Sequence, residues 1–168
     1  MKSRTKARSV ALQVLYEVDM TGHLPGTVFS QRIEENPMED NLADFTSQII
    51  FGVYPLIEKL DQFISQHAPE WPMDQVAVID RNIIRIALWE FAVSNMTPVK
   101  VAINEAIELA KMYGADSTPR FVNGVLGSLA NRQDEIHRLL PVQQLHGLNQ
   151  RRQMARCFST AASRKHRN

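Results

Sequence analysis

An all-α helical bundle is the fold class this sequence predicts, on three observations. Apolar residues recur at spacings of three and four through most of the first 140 positions. Two Thr-Pro pairs, Thr97-Pro98 and Thr118-Pro119, each open such a stretch with the residues that favour a helix start. No segment alternates as a strand would, and the 7 glycines and 7% aromatic content argue against a many-turned all-β design.

The elements follow in order. Ala7, Val10, Ala11, Val14, Leu15 and Val18 predict an amphipathic helix over about residues 5–20. Gly22, Pro25 and Gly26 break the pattern, and a weaker helix is expected over 28–35, closed by Asn36-Pro37. Leu42, Phe45, Ile49, Val53, Leu56, Leu60, Phe63 and Ile64 then read as one long helix. Pro55 inside it removes a hydrogen bond and predicts a kink. Residues 67–72 form a connector between prolines. From Asp74 to Asn95 another helix turns Val76, Ile79, Ile83, Ile86, Ala87 and Phe91 inward. Thr97 is expected to cap the next helix with Pro98 in its first position, and Gly114 to end it in the left-handed conformation. Thr118-Pro119 repeats that start and opens a helix to about Asn131. Gly124 and Gly127 within it predict the close approach of another backbone. Asn123 reads as structural, and Asp134-Glu135 as an exposed helix start. Beyond Leu140 the periodicity fades. Residues 1–140 are thus one helical domain, and 141–168 a basic extension expected to be flexible.

Composition bounds the function. With 168 residues, 44% hydrophobic and 22% charged, the chain suits a single globular domain. No apolar run approaches the ~20 residues that span a bilayer. The first such run, Val10 to Met20, carries Glu17 and Asp19 and makes a poor export signal. Cys157 stands alone, which excludes an internal disulfide. These features lead to the expectation of a soluble, cytoplasmic protein.

The net charge of +1 conceals an asymmetry. Residues 1–8 hold Lys2, Arg4, Lys6 and Arg8, and residues 151–168 hold six more basic groups, neither segment with an acid. Of the 19 basic residues, those 4 and 6 leave 9 for the body against all 18 acids, a body near −9 between positive ends. Such a distribution suits local contact with a polyanion.

Catalytic signals are missing. The five histidines lie far apart, and there is no HExxH, CxxC, GxSxG or glycine-rich phosphate loop. Asp80 and Glu90 are ten residues apart, and Glu105 and Glu108 read as a solvated pair on one helix face. No enzyme, metal or cofactor is expected. The N-terminal basic residues can instead track phosphates, and Tyr16, further along the same helix, can stack on an unpaired base. Phe121 follows Pro119 and Arg120 in the first turn of a helix, where N–H groups and the dipole attract phosphate. Packing alternatives stand beside both aromatics: a rim position for Tyr16 and a core anchor for Phe121.

The stretches ARSVALQVLY (7–16), IDRNIIRIALWE (79–90), VKVAINEAIELAKMYG (99–114) and RFVNGVL (120–126), in that order and spacing, resemble the NusB family of bacterial transcription antitermination factors. The resemblance spans about residues 5–132 and is most specific from Val101 to Leu126. It implies a compact bundle of about seven helices. It also implies a non-catalytic factor that binds boxA-type single-stranded RNA of ribosomal RNA transcripts. The partner in that binding is NusE, a small-subunit ribosomal protein, within the RNA polymerase antitermination complex with other Nus factors. Residue by residue, the resemblance carries RNA contact to Lys2, Arg4, Lys6, Arg8, Tyr16, Arg120 and Phe121, and NusE contact to Asp80 and Arg81. Many family members carry an aspartate where this sequence has Ser117, with Asp116 just before it. Arg85 reads as a bridge between helices and Trp89 as core or rim. A homodimer remains open. Two other readings compete: an RNA-binding accessory module of a ribosomal RNA methyltransferase, which would require a following α/β domain, and a purely structural dimerisation domain.

Overall fold

The computed structural model describes residues 2–67, 69–70 and 72–140; the basic extension inferred from the sequence lies outside the described residues. Among those residues the secondary structure is entirely helical. The helices are α1 (Ser3–Thr21), α2 (Pro25–Glu35), α3 (Asp40–Val53), α4 (Ile57–His67), α5 (Val78–Leu88), α6 (Val99–Tyr113), α7 (Thr118–Ala130) and the short α8 (Gln133–Leu139). None is long and apolar enough to cross a membrane.

α5 is the central element, packed on α1, α3, α4, α6 and α7. Its side chains from Asn82 to Leu88 are all buried, which explains why its apolar residues run nearly without interruption. α1 lies across it and also contacts α2, α3 and α6. Its inner stripe, Ala7, Ala11, Leu12, Val14, Leu15 and Val18, enters the same core as Ile49, Ile50, Val53, Ile83, Ile86, Leu109 and Leu126. Gly22 closes α1 in the left-handed conformation, φ 71°, and donates its N–H to the Val18 carbonyl at 2.9 Å.

Several helix ends differ from expectation. α2 begins at Pro25, ahead of residue 28, because a proline in the first turn gives up no helical hydrogen bond. The kink at Pro55 is present as a single 3-10 turn, Tyr54–Leu56, between α3 and α4. The helix expected from Asp74 starts at Val78, since Gln75 and Val76 instead donate to the Pro72 carbonyl and form a tight turn. α5 then widens into a π-helical turn, Trp89–Val93, in which Ser94 N–H reaches back to the Trp89 carbonyl at 2.9 Å.

Neither Thr-Pro pair caps through its threonine. Thr97 is buried and donates its hydroxyl to Glu90 Oε1 at 2.8 Å, leaving Pro98 as the residue before α6. Thr118 is already the first residue of α7, and its hydroxyl turns to Asp80. Gly114 is extended, φ −88° and ψ 176°, so no left-handed geometry requires glycine there. Crowding does: a Cβ at Gly114 would lie 2.5 Å from the Thr118 side chain. No backbone approaches Gly124 or Gly127, whose Cβ positions point into open space. The close approach occurs at Gly52, where a Cβ would fall 2.1 Å from the Trp89 ring. Trp89 is therefore core, 2% exposed.

Candidate nucleic-acid interface

The four N-terminal basic residues separate by face. At 100° per residue, Lys6, Ser9, Gln13, Tyr16 and Met20 fall within an arc of about 80° along α1, and Lys2 is the extended residue just before the helix. Arg4 and Arg8 lie on another side of the helix. Their guanidinium carbons sit 5.2 and 5.1 Å from the centroid of the Phe45 ring on α3. Lys2, Arg4 and Lys6 are exposed, whereas Arg8 is 2% exposed.

Arg8 is a structural residue. Its Nε donates to both oxygens of Glu90, at 3.2 and 2.9 Å, and its Nη2 to Oε1 at 2.7 Å. Nη1 lies 3.4 Å from Glu105 Oε2, which also accepts the Thr5 hydroxyl at 2.7 Å. The π-helical turn aims Glu90 at this cluster. The expectation of phosphate contact for Arg8 is thereby corrected, because its charge is spent inside the bundle. The solvated pair is corrected too: Glu105 belongs to the cluster, and only Glu108 is on the surface, paired with Lys111 at 2.8 Å.

Tyr16 is 40% exposed and lines a groove with Gln13, Met20, Arg32, Ala77, Val78, Ile79 and Tyr113. Phe121, half-buried against the core, lines a second, larger cleft with Arg120, Asp80, Ser117, Thr118 and His67. Ala77, the residue before α5, borders both. The early turn that delays α5 therefore joins the two aromatic sites along one surface.

Asp80 and Arg81 do not form one patch. Asp80 faces the Phe121 cleft and accepts the Thr118 hydroxyl at 3.2 Å on either oxygen. Burial raises its pKa above the ordinary 3.8, and the Thr118 hydrogen bond opposes that rise. Arg81 folds back and donates from Nη1 to the Met73 carbonyl at 3.0 Å, tying α5 to the turn before it.

Arg85 bridges helices as its setting among isoleucines suggested. It donates from Nε and Nη2 to the two oxygens of Asp61 on α4, at 2.7 and 2.6 Å, and from Nη1 to Asp19 on α1 at 2.7 Å. Burial works against its charge, but the two carboxylates outweigh it and raise its pKa. Among the described residues, no group of three or more His, Cys, Asp or Glu is arranged to hold a metal ion.

Sequence reasoning missed Gln13, Arg32 and Tyr113. The three-four spacing that links Lys2, Lys6, Ser9, Gln13 and Tyr16 was the available signal for Gln13. Arg32 and Tyr113 reach the groove through tertiary packing, and no local pattern announces them.

Residues 5–131 match the NusB family. A transcription antitermination protein NusB from Roseiflexus sp. is 42% identical over 134 residues, covering 79% of this chain and 94% of the relative. The Dehalococcoides mccartyi protein of the same name is 44% identical over 128 residues, covering 76% and 90%. Among solved structures, antitermination factors NusB and NusE in complex with double-stranded RNA include a similar chain. It has 26% identity and a TM-score of 0.72, covering 78% of this chain and 98% of that one. The chain belongs to the NusB family.

Proposed function

We propose that this protein is a non-catalytic transcription antitermination factor that binds boxA-type single-stranded RNA of ribosomal RNA transcripts together with NusE. The observation that carries the reading is that Tyr16 and Phe121 line two clefts that share Ala77, with Arg120 beside Phe121 and the exposed Lys6 on the Tyr16 face of α1. Lys2, just before α1, lies about 21 Å along the helix axis from Tyr16, enough for several nucleotides of a strand. Cations at one end attract phosphate, and the two aromatics offer faces to unpaired bases. Bases splayed outward from a single strand can reach both aromatic faces. A similar chain has been solved with NusE and double-stranded RNA, which supports NusE and RNA, at that coarser level, as partners here.

The body, near −9 once the basic ends are set aside, offers a complementary surface to NusE as a basic ribosomal protein. Action within the RNA polymerase antitermination complex with other Nus factors, in the cytoplasm, follows from these partners. The test is fluorescence anisotropy of labelled boxA RNA, with and without purified NusE, beside a scrambled strand. Preferential binding that tightens with NusE is expected. Equal binding of both strands, indifferent to NusE, would refute the proposal.

A further inference from the structure

We infer that Tyr113 is the second wall of a slot that, with Tyr16, takes one unpaired nucleobase, and that Gln13 and Arg32 hold this slot open. The inference rests on the RNA-binding reading above and deepens it.

Tyr113 ends α6 and is 38% exposed, nearly the same as Tyr16. Its hydroxyl is engaged: it hydrogen-bonds the Ser9 hydroxyl and accepts from Gln13 Nε2 at 3.0 Å. These bonds fix the hydroxyl end of the Tyr113 ring to α1. Gln13 Oε1 in turn accepts from Arg32 Nη1 at 3.2 Å, and Arg32 Nη2 donates to Glu17 at 2.9 Å. The chain Ser9–Tyr113–Gln13–Arg32–Glu17 thus ties α6 and α2 to α1 around the groove in which Tyr16 stands. Ordering these side chains before a ligand arrives lowers the entropy cost of binding.

The chemistry of the walls selects the occupant. Two tyrosine rings, Met20 and Ile79 present an apolar, polarisable lining with a polar rim, as stacking on a nucleobase requires. Arg32 spends one N–H on Gln13 and one on Glu17, and its remaining N–H groups can meet base carbonyls. Lys6 continues the same stripe of α1 and Lys2 lies just before the helix, so a phosphate backbone approaching along them delivers a base to the groove. The groove measures about 520 Å³, within the range of small-ligand sites. An apolar peptide would fit the walls but has no use for the cations that lead to them.

The experiment uses the full chain and boxA-type RNA carrying the fluorescent base 2-aminopurine at one position at a time. In the unaltered protein, emission should be quenched strongly at a nucleotide whose quenching both Tyr16→Leu and Tyr113→Leu relieve. Each variant should also weaken binding by about tenfold, the scale of losing one stacking face. Tyr113→Phe, which keeps the ring but loses its hydroxyl bonds, should weaken binding less than Tyr113→Leu. Photo-crosslinking of 5-iodouridine RNA to the unaltered protein requires no variant to fold. Adducts at Tyr16 and Tyr113 from the same nucleotide are expected, and adducts from different nucleotides would overturn the slot. If Tyr16→Leu weakens binding while Tyr113→Leu binds like the wild type, the second wall is disproved and the RNA-binding reading survives. If the wild type binds no RNA, both fall together.

Discussion

Arg8 on α1 and Glu90 in the π-helical turn form a bidentate ion pair at 2.7 Å, with side chains only 3% and 1% exposed. Thr97 and Glu105 complete the cluster, so two segments far apart in sequence are locked together by a single guanidinium. Truncating one partner of such a pair strands a buried charge. Arg8→Ala should therefore lose about 3–5 kcal/mol of unfolding free energy in urea. Arg8→Ala/Glu90→Ala should lose less than the sum of the two single variants. Strict additivity would mean that the pair is not coupled in solution.

The division of the basic arm has a consequence in salt. Each phosphate contact on a single strand contributes about 0.7 to the slope of log affinity against log salt. Replacing Lys2 and Lys6 together by alanine should flatten that slope by about 1.4. Arg4→Ala, on the Phe45 side of the helix, should flatten it less. A larger effect from Arg4 than from the lysine pair would show that the RNA follows the other face.

Asp80 gives a pH signature. Its pKa is raised in the folded protein, chiefly by burial, so its contribution to stability is complete below the unfolded value. That contribution is lost as pH rises through the folded value. Asp80→Asn cannot ionise, so the stability of the wild type minus that of this variant should fall as pH climbs from about 3 to above the ordinary carboxylate range. The comparison is read from thermal or urea unfolding at a series of pH values. A difference that rises over that window would reverse the assigned sign.

Two glycine substitutions in helices should act in opposite directions. Gly52→Ala drives a methyl into the Trp89 ring and should cost about 1–3 kcal/mol. Gly127→Ala meets nothing and should stabilise α7 by up to about 1 kcal/mol. Denaturant midpoints measure both.

Much of the fold was legible because apolar spacing is a local signal. The helix positions and the inward face of α5 from Ile83 onward followed from it, and the kink at Pro55 followed from the hydrogen bond a proline cannot donate. What escaped was set by partners distant in sequence. Four alternating cations look alike, and only the rotation of α1 relative to Phe45 and Glu90 sends Arg8 inward. Gly114 was assigned to conformation when crowding by Thr118 requires it, and Gly124 to crowding when its surroundings are open. Tyr16 and Phe121 were identifiable as aromatics in suggestive settings, the first exposed and the second half-buried against the core. Their connection through Ala77 depends on a turn that the helical pattern of Val76 and Ile79 concealed.

The central claim is that one RNA strand engages both aromatic sites. The direct measurement is the affinity of a boxA-type RNA for the wild type, Tyr16→Ala, Phe121→Ala and the double variant. Each single change should cost about 1–3 kcal/mol of binding, with the double variant close to their sum. Wild-type affinity in either single variant would contradict the account.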